Sequence, residues 1–167
     1  MTVEATLTLT IFLFFMMFLM NMGQVYRAQN YMTHGMMQTG QMLSFASYEY
    51  GNDTTISRLQ DIENSFMLFA GIPMDGQQIK NYWKNGDCAQ AVRLTFGYCA
   101  GGTVSRTEQY LKRYGLAQGS ADIDFSGTHK DDENLYIEAA YQVKLPFAFF
   151  GYESVTMHQQ IVCGLWE

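Results

Sequence analysis

Proline, basic residues and cysteine are all scarce in this chain, and each shortage excludes something. Only Pro73 and Pro146 are present, so no proline interrupts Thr2 to Tyr48 and nothing there forces a helix to break. Ten Lys and Arg stand against 16 Asp and Glu, for a net charge of −6. The cations are scattered instead of forming a stripe, which argues against a nucleic-acid-binding surface. No basic cluster precedes the apolar N-terminal run and no small-residue cleavage site follows it, so the run does not read as an ordinary secretory signal. Three cysteines, an odd count, cannot all pair within one chain. His34, His129 and His158 lie far apart without ligand spacing, and none is near a cysteine, which disfavours zinc.

Charge is also missing from one end. In the first 50 residues only Glu4, Arg27 and Glu49 carry it, and the rest lies beyond Tyr50. This asymmetry divides the chain into an apolar stalk, 1–50, and an acidic head, 51–167. The run from Ala5 to Tyr26 is uncharged, and as a helix it extends ~33 Å, enough to cross the hydrocarbon core of a bilayer. Phe12, Phe14, Phe15, Phe18 and Leu19 surround that helix instead of lining one face, which requires burial on all sides. From Val25 the pattern narrows to one apolar stripe, Val25, Ala28, Met32, Met36, Thr39, Leu43 and Ala46. Most of the 12 methionines sit in the stalk and read as adaptable packing material. The spacing predicts one helix from about Thr2 to Glu49, with Gly23, Gly35 and Gly40 marking bends or close contacts and a stop at Gly51-Asn52-Asp53.

In the head, Ile56, Leu59, Ile62, Phe66 and Phe69 keep helical spacing after a Thr54 or Thr55 cap. Asp87 to Tyr98 predicts a second helix, and Thr103 to Tyr114 a third that closes at Gly115. The period then changes to two. Leu135, Ile137, Ala139, Tyr141, Val143 and Leu145 form one face of a strand, and the alternation over Val155–Leu165 predicts a partner. Ile123 to Ser126 is the expected third strand, and Pro146 and Gly151 bound the connection between the two long ones. The expected fold class is therefore α+β: a long N-terminal helix, then a small head of short helices and an antiparallel sheet.

Candidate sites are few. If 88–99 is one helix, Cys88 and Cys99 stand ~16 Å apart, beyond the reach of a disulfide. A bridge, if formed, joins Cys163 to one of them, and Cys99 is the favoured partner; the alternative is three reduced thiols. Ser126, His129 and Asp131 crowd one turn without a nucleophile elbow or oxyanion signature, so no catalytic residue is assigned. Asp131-Asp132-Glu133 lacks the interleaved spacing of a calcium loop and reads as a solvated turn. Asn52-Asp53-Thr54 matches a glycosylation sequon, a weak pattern. No metal or cofactor is expected.

The two ends of the chain together resemble the TadE-like pseudopilins of tight-adherence pili, of the Gram-positive type. At the start, Met1-Thr2-Val3-Glu4-Ala5 is similar to the family's first mature residues. At the end, Ser126, the acidic turn Asp131-Asp132-Glu133, the strand Leu135–Leu145, Lys144-Leu145-Pro146-Phe147-Ala148-Phe149-Phe150-Gly151 and the closing Gln159-Gln160-Ile161-Val162 to Trp166 resemble its sheet and aromatic signature. The acid stands fourth instead of fifth, the usual membrane-helix proline is absent near Thr10, and the last strand lacks its usual basic residues. The resemblance implies a numbering that begins at or near a mature end, with a true initiator Met1 as the alternative. It implies a pilin or pseudopilin subunit, non-enzymatic and pilin-like in fold. Such a subunit resides as a single-pass protein in the cell membrane before assembly and in a surface filament afterwards. Its partners are copies of itself or other pilin subunits, a leader peptidase and an assembly platform. Glu4 takes the assembly role by pairing the N-terminal amine at Met1 of a neighbour, while Phe12, Phe15, Phe18 and Leu19 supply the packing surface. The competing expectations are a minor, tip-located adhesin and a lone membrane-anchored extracytoplasmic domain.

Overall fold

The computed structural model describes residues 2–51, 76–149 and 151–165. Its spine is α1, one continuous helix over Thr2–Gly51. The expected helix on Ile56–Phe69, its threonine cap, the Asn52 sequon and Met1 lie outside the described residues. The apolar stripe is the helix's buried edge: Ala28, Met32, Met36, Thr39 and Leu43 are each at most 1% exposed. Their steps of three and four residues keep them on one side, and that side faces the head.

Two of the three stalk glycines lie at close contacts. A Cβ on Gly35 would stand 2.6 Å from a ring carbon of Phe96 and 2.9 Å from the Ala100 methyl. A Cβ on Gly40 would run into the Cys163 sulfur. Missing side chains therefore let a helix and a strand close onto the spine, whereas Gly23 has open space around it.

Against α1 lie α2 (Gly76–Lys84), α3 (Cys88–Cys99) and α4 (Val104–Arg113). The Asp87 carboxylate caps α3 by accepting from the Gln90 N–H at 3.2 Å. The Thr103 hydroxyl caps α4 by accepting from the Arg106 N–H at 3.3 Å. Lys112 and Arg113 occupy the last turn of α4, where cations oppose the negative end of the dipole. Gly115 closes that helix at φ +99°, a left-handed conformation that favours glycine. Helix α2 was not expected from the sequence. Its signal was Ile79 and Trp83, four residues apart and both buried in the core.

A short 3₁₀ turn, Gly119–Asp122, leads into the sheet. Strands β1 (Ile123–Asp124) and β2 (His129–Lys130) share one edge of β3 (Asn134–Phe149), and β4 (Tyr152–Gly164) runs along the other, all antiparallel. Leu135, Ile137, Ala139, Tyr141 and Val143 form the inner face of β3, all nearly fully buried. Register sets Leu135 opposite Cys163, Ile137 opposite Ile161 and Val143 opposite Val155. A slip of one residue would turn that whole face outward.

One boundary needs correction. Pro146 was expected to end the strand, yet β3 continues through it to Phe149. The ladder to β4 is irregular between Lys144 and Phe149, so no N–H is demanded at the proline.

The contact at Gly35 gives a direct expectation. Gly35→Val should destabilise the head by ~1–3 kcal/mol through overpacking against Phe96. Thermal unfolding of the detergent-solubilised chain checks it, and an unchanged midpoint would show that α1 and α3 are not in tight contact.

Candidate assembly and membrane-anchoring helix

The functional surface assigned from sequence is the N-terminal part of α1. Glu4 lies in its first turn, where a carboxylate complements the positive helix end. Phe12 and Phe15 are more than half exposed, and Phe18 and Leu19 are exposed as well. These residues clothe the rod. The helix is long and apolar enough to cross a membrane, and none of its most apolar stretch is buried inside the head.

Two of the threonine hydroxyls on this stretch are satisfied within the helix. The Thr8 hydroxyl donates to the Glu4 carbonyl and the Thr10 hydroxyl to the Thr6 carbonyl, each at 2.8 Å. Back-bonding of this kind hides a hydroxyl from an apolar surrounding.

Asn21 closes the apolar stretch and is only 5% exposed. Its amide nitrogen donates to the Phe147 carbonyl at 3.0 Å, and its carbonyl oxygen accepts from the Phe147 N–H at 3.2 Å. The side chain thus supplies to Phe147 the two hydrogen bonds that a strand neighbour would give, in the segment where the β3–β4 ladder is irregular. One turn on, the Gln24 amide donates to the Arg113 carbonyl at 3.3 Å. Higher still, the Gln159 amide donates to the Thr33 hydroxyl at 3.2 Å, and the Ser44 hydroxyl donates to the Gly164 carbonyl. The hairpin is therefore fixed along the helix, its tip beside Asn21 and its open end beside Ser44. No sequence motif announced Asn21, because its partner is 126 residues away.

The cysteines stand as free thiols, and the Cys99–Cys163 bridge is not formed in this structure. Cys99 points its sulfur at the Met42 sulfur, 3.3 Å away, while Cys163 lies against Gly40. Burial pushes the Cys99 thiol up to about 11, with hydrogen bonding to Thr39 as a smaller opposing effect. Desolvation also raises Cys163 and Cys88. Raised thiols are poor nucleophiles.

The crowded turn at 126–131 has other partners. The His129 ring nitrogen Nδ1 lies 3.0 Å from the Gly127 carbonyl, and the ring stacks on Tyr136 at 4.8 Å between centroids. The Ser126 N–H donates to Asp124, which holds that carboxyl below its usual range. The Asp131 N–H donates to the Asn134 carbonyl at 2.8 Å. Ser126, His129 and Asp131 are thus engaged one by one as turn residues. Among the described residues no cluster of His, Cys, Asp and Glu could hold a metal ion.

Comparison of the chain with protein-family models, with curated proteins and with solved structures finds no significant match.

Two outcomes follow from these contacts. Asn21→Leu should remove both hydrogen bonds to Phe147, at ~1–3 kcal/mol for the group left unsatisfied. The effect should be local, seen as faster hydrogen exchange at the Phe147 amide with little change in Leu135 or Ile137. For Cys99, the neutral thiol is favoured by folding. Its contribution to stability is full below the ordinary value of 9.0 and is lost as pH rises toward about 11. Alkylation at pH 8 should be much slower for Cys99 in the folded protein than in urea.

Proposed function

We propose that this chain is a structural, non-enzymatic subunit of pilin type, held in a membrane by α1 and packed into a filament through the same helix. The observation that carries this reading is the state of α1. One uninterrupted helix is exposed and apolar on all sides over its first part, then buried on one stripe within the head. Such a surface needs either a bilayer or many neighbouring helices, and a filament subunit uses each in turn. The resemblance of both chain ends to TadE-like pseudopilins supports the same reading. It would bring a leader peptidase and an assembly platform as partners, with other copies or related pilins in the fibre.

Glu4 has the mechanistic role. A carboxylate carried into an apolar fibre core costs several kcal/mol unless it is neutralised or bonded. The N-terminal ammonium of an adjacent subunit meets that need and sets axial register at the same time. Phe12, Phe15, Phe18 and Leu19 then exchange lipid contacts for helix contacts, at little net hydrophobic cost.

Glu4→Leu should insert into membranes as well as wild type while filament yield drops sharply, measured by electron microscopy and by sedimentation of sheared fibres. Wild-type yield from the variant would remove the charge pairing. A wild-type chain that stays in the membrane fraction without ever forming fibres would instead identify a lone anchored domain.

A further inference from the structure

Where the apolar stretch of α1 ends, the head presents aromatic and cationic side chains together. Asn21 fixes the tip of the β3–β4 hairpin beside the helix through Phe147. Phe147 is 39% exposed and Tyr152, on the far side of Gly151, is 71% exposed. Tyr26, five residues beyond Asn21 on the helix, is exposed as well. Aromatic side chains with an apolar body and, in tyrosine, a polar end favour the boundary between hydrocarbon and headgroups.

Several cations also gather at this level. Gln24 bonds the backbone of Arg113, the Lys144 N–H donates to the Gly115 carbonyl at 2.8 Å, and a Cβ on Gly115 would lie 3.3 Å from the Gln24 amide. Those contacts bring the end of α4 and Lys144 to one place beside Gln24. Lys112, Arg113 and Lys144 are exposed there, and Arg27 is exposed one helical turn from Gln24. Glu153 lies at the start of β4, beside the tip. These four cations share the region with Glu153 and, behind the end of α4, with Asp122, which accepts from the Gln118 N–H, and Glu108, which accepts from the Ser120 N–H.

We infer that this end of the head is a seat for an anionic bilayer surface: Phe147 and Tyr152 enter the interface while Arg27, Lys112, Arg113 and Lys144 meet lipid phosphates. The seat rests on the membrane-anchored state of the proposed function. Two observations select lipid over another occupant. The aromatic tip is fastened to the helix at the residue where its all-round apolar surface ends, so a bilayer around that surface reaches the tip. The cations sit just above it, where long side chains extend to headgroup phosphates. Near an anionic membrane surface each such cation contributes about fivefold in affinity. The seat would hold the head upright on the membrane.

The test uses the full chain reconstituted into vesicles of phosphatidylglycerol or of phosphatidylcholine. Resistance to carbonate extraction is measured first and reports on α1 alone; extraction of the chain would defeat the anchored state itself. In resistant protein, Tyr152→Trp is compared with wild type, so that the native Trp83 and Trp166 are subtracted. The added emission should be quenched by lipids brominated near the headgroup, more strongly in phosphatidylglycerol. The Lys112→Gln/Arg113→Gln/Lys144→Gln variant should abolish the difference between the two lipids while keeping carbonate resistance. Unquenched emission in carbonate-resistant protein would overturn the seat. So would quenching equal in both lipids, or shielding that vanishes when the chain is diluted in lipid, which would assign the surface to a second copy.

Discussion

Everything in the head depends on how closely α1 can be approached. Its buried edge carries a methyl at Ala28, flexible thioethers at Met32 and Met36, and bare backbone at Gly35 and Gly40. Small and adaptable groups let α3 lie directly on the helix through Phe96 and let β4 lie on it through Cys163. A larger residue at Gly35 would hold α3 off the rod, and one at Gly40 would hold the sheet off it. The core is therefore built outward from one side of a rod whose other portions need a different surrounding.

Polar contacts then fix what apolar packing leaves free. Sliding of a hairpin along a smooth helix costs little if only methyl and thioether groups meet. Bonds from Asn21 to Phe147, from Gln159 to Thr33 and from Ser44 to Gly164 are spaced along the helix and leave one axial position. Of these, Asn21 is the most constrained, since it is buried and uses both ends of its amide on one residue. A buried carboxamide with both functions bonded is well suited to specifying geometry, because any displacement leaves polar atoms unmatched.

The parts legible in the sequence were those with a long, regular period. Helix α1 shows itself by the absence of proline and by its stripe, α3 by the spacing of Cys88, Val92, Phe96 and Cys99, and β3 by strict alternation from Leu135 to Val143. Helix α2 was missed because nine residues with Ile79 and Trp83 as their buried pair carry little periodicity. Strand β2 has two residues and exists only because β3 offers an edge, and its Lys130 rests 5.0 Å from the Trp83 ring, on a helix far away in sequence. Pro146 misled for a physical reason: proline ends strands where an N–H is needed, and here an irregular ladder needs none. At the candidate site, the exposed phenylalanines were readable from their all-round distribution. The tip held by Asn21 was not, because a contact across the whole chain leaves no local pattern.

The continuity of α1 has a mechanical consequence. With no proline in it and with the head bound along its second half, the rod has no hinge between the exposed apolar portion and the folded domain. Rotation of one end is rotation of the other. A tilt of ~20°, common for membrane helices, would swing the far end of a ~40 Å arm by ~14 Å. The chain is in that sense a lever, and a tilt of its first five turns is carried by the continuous helix to the opposite end of the head.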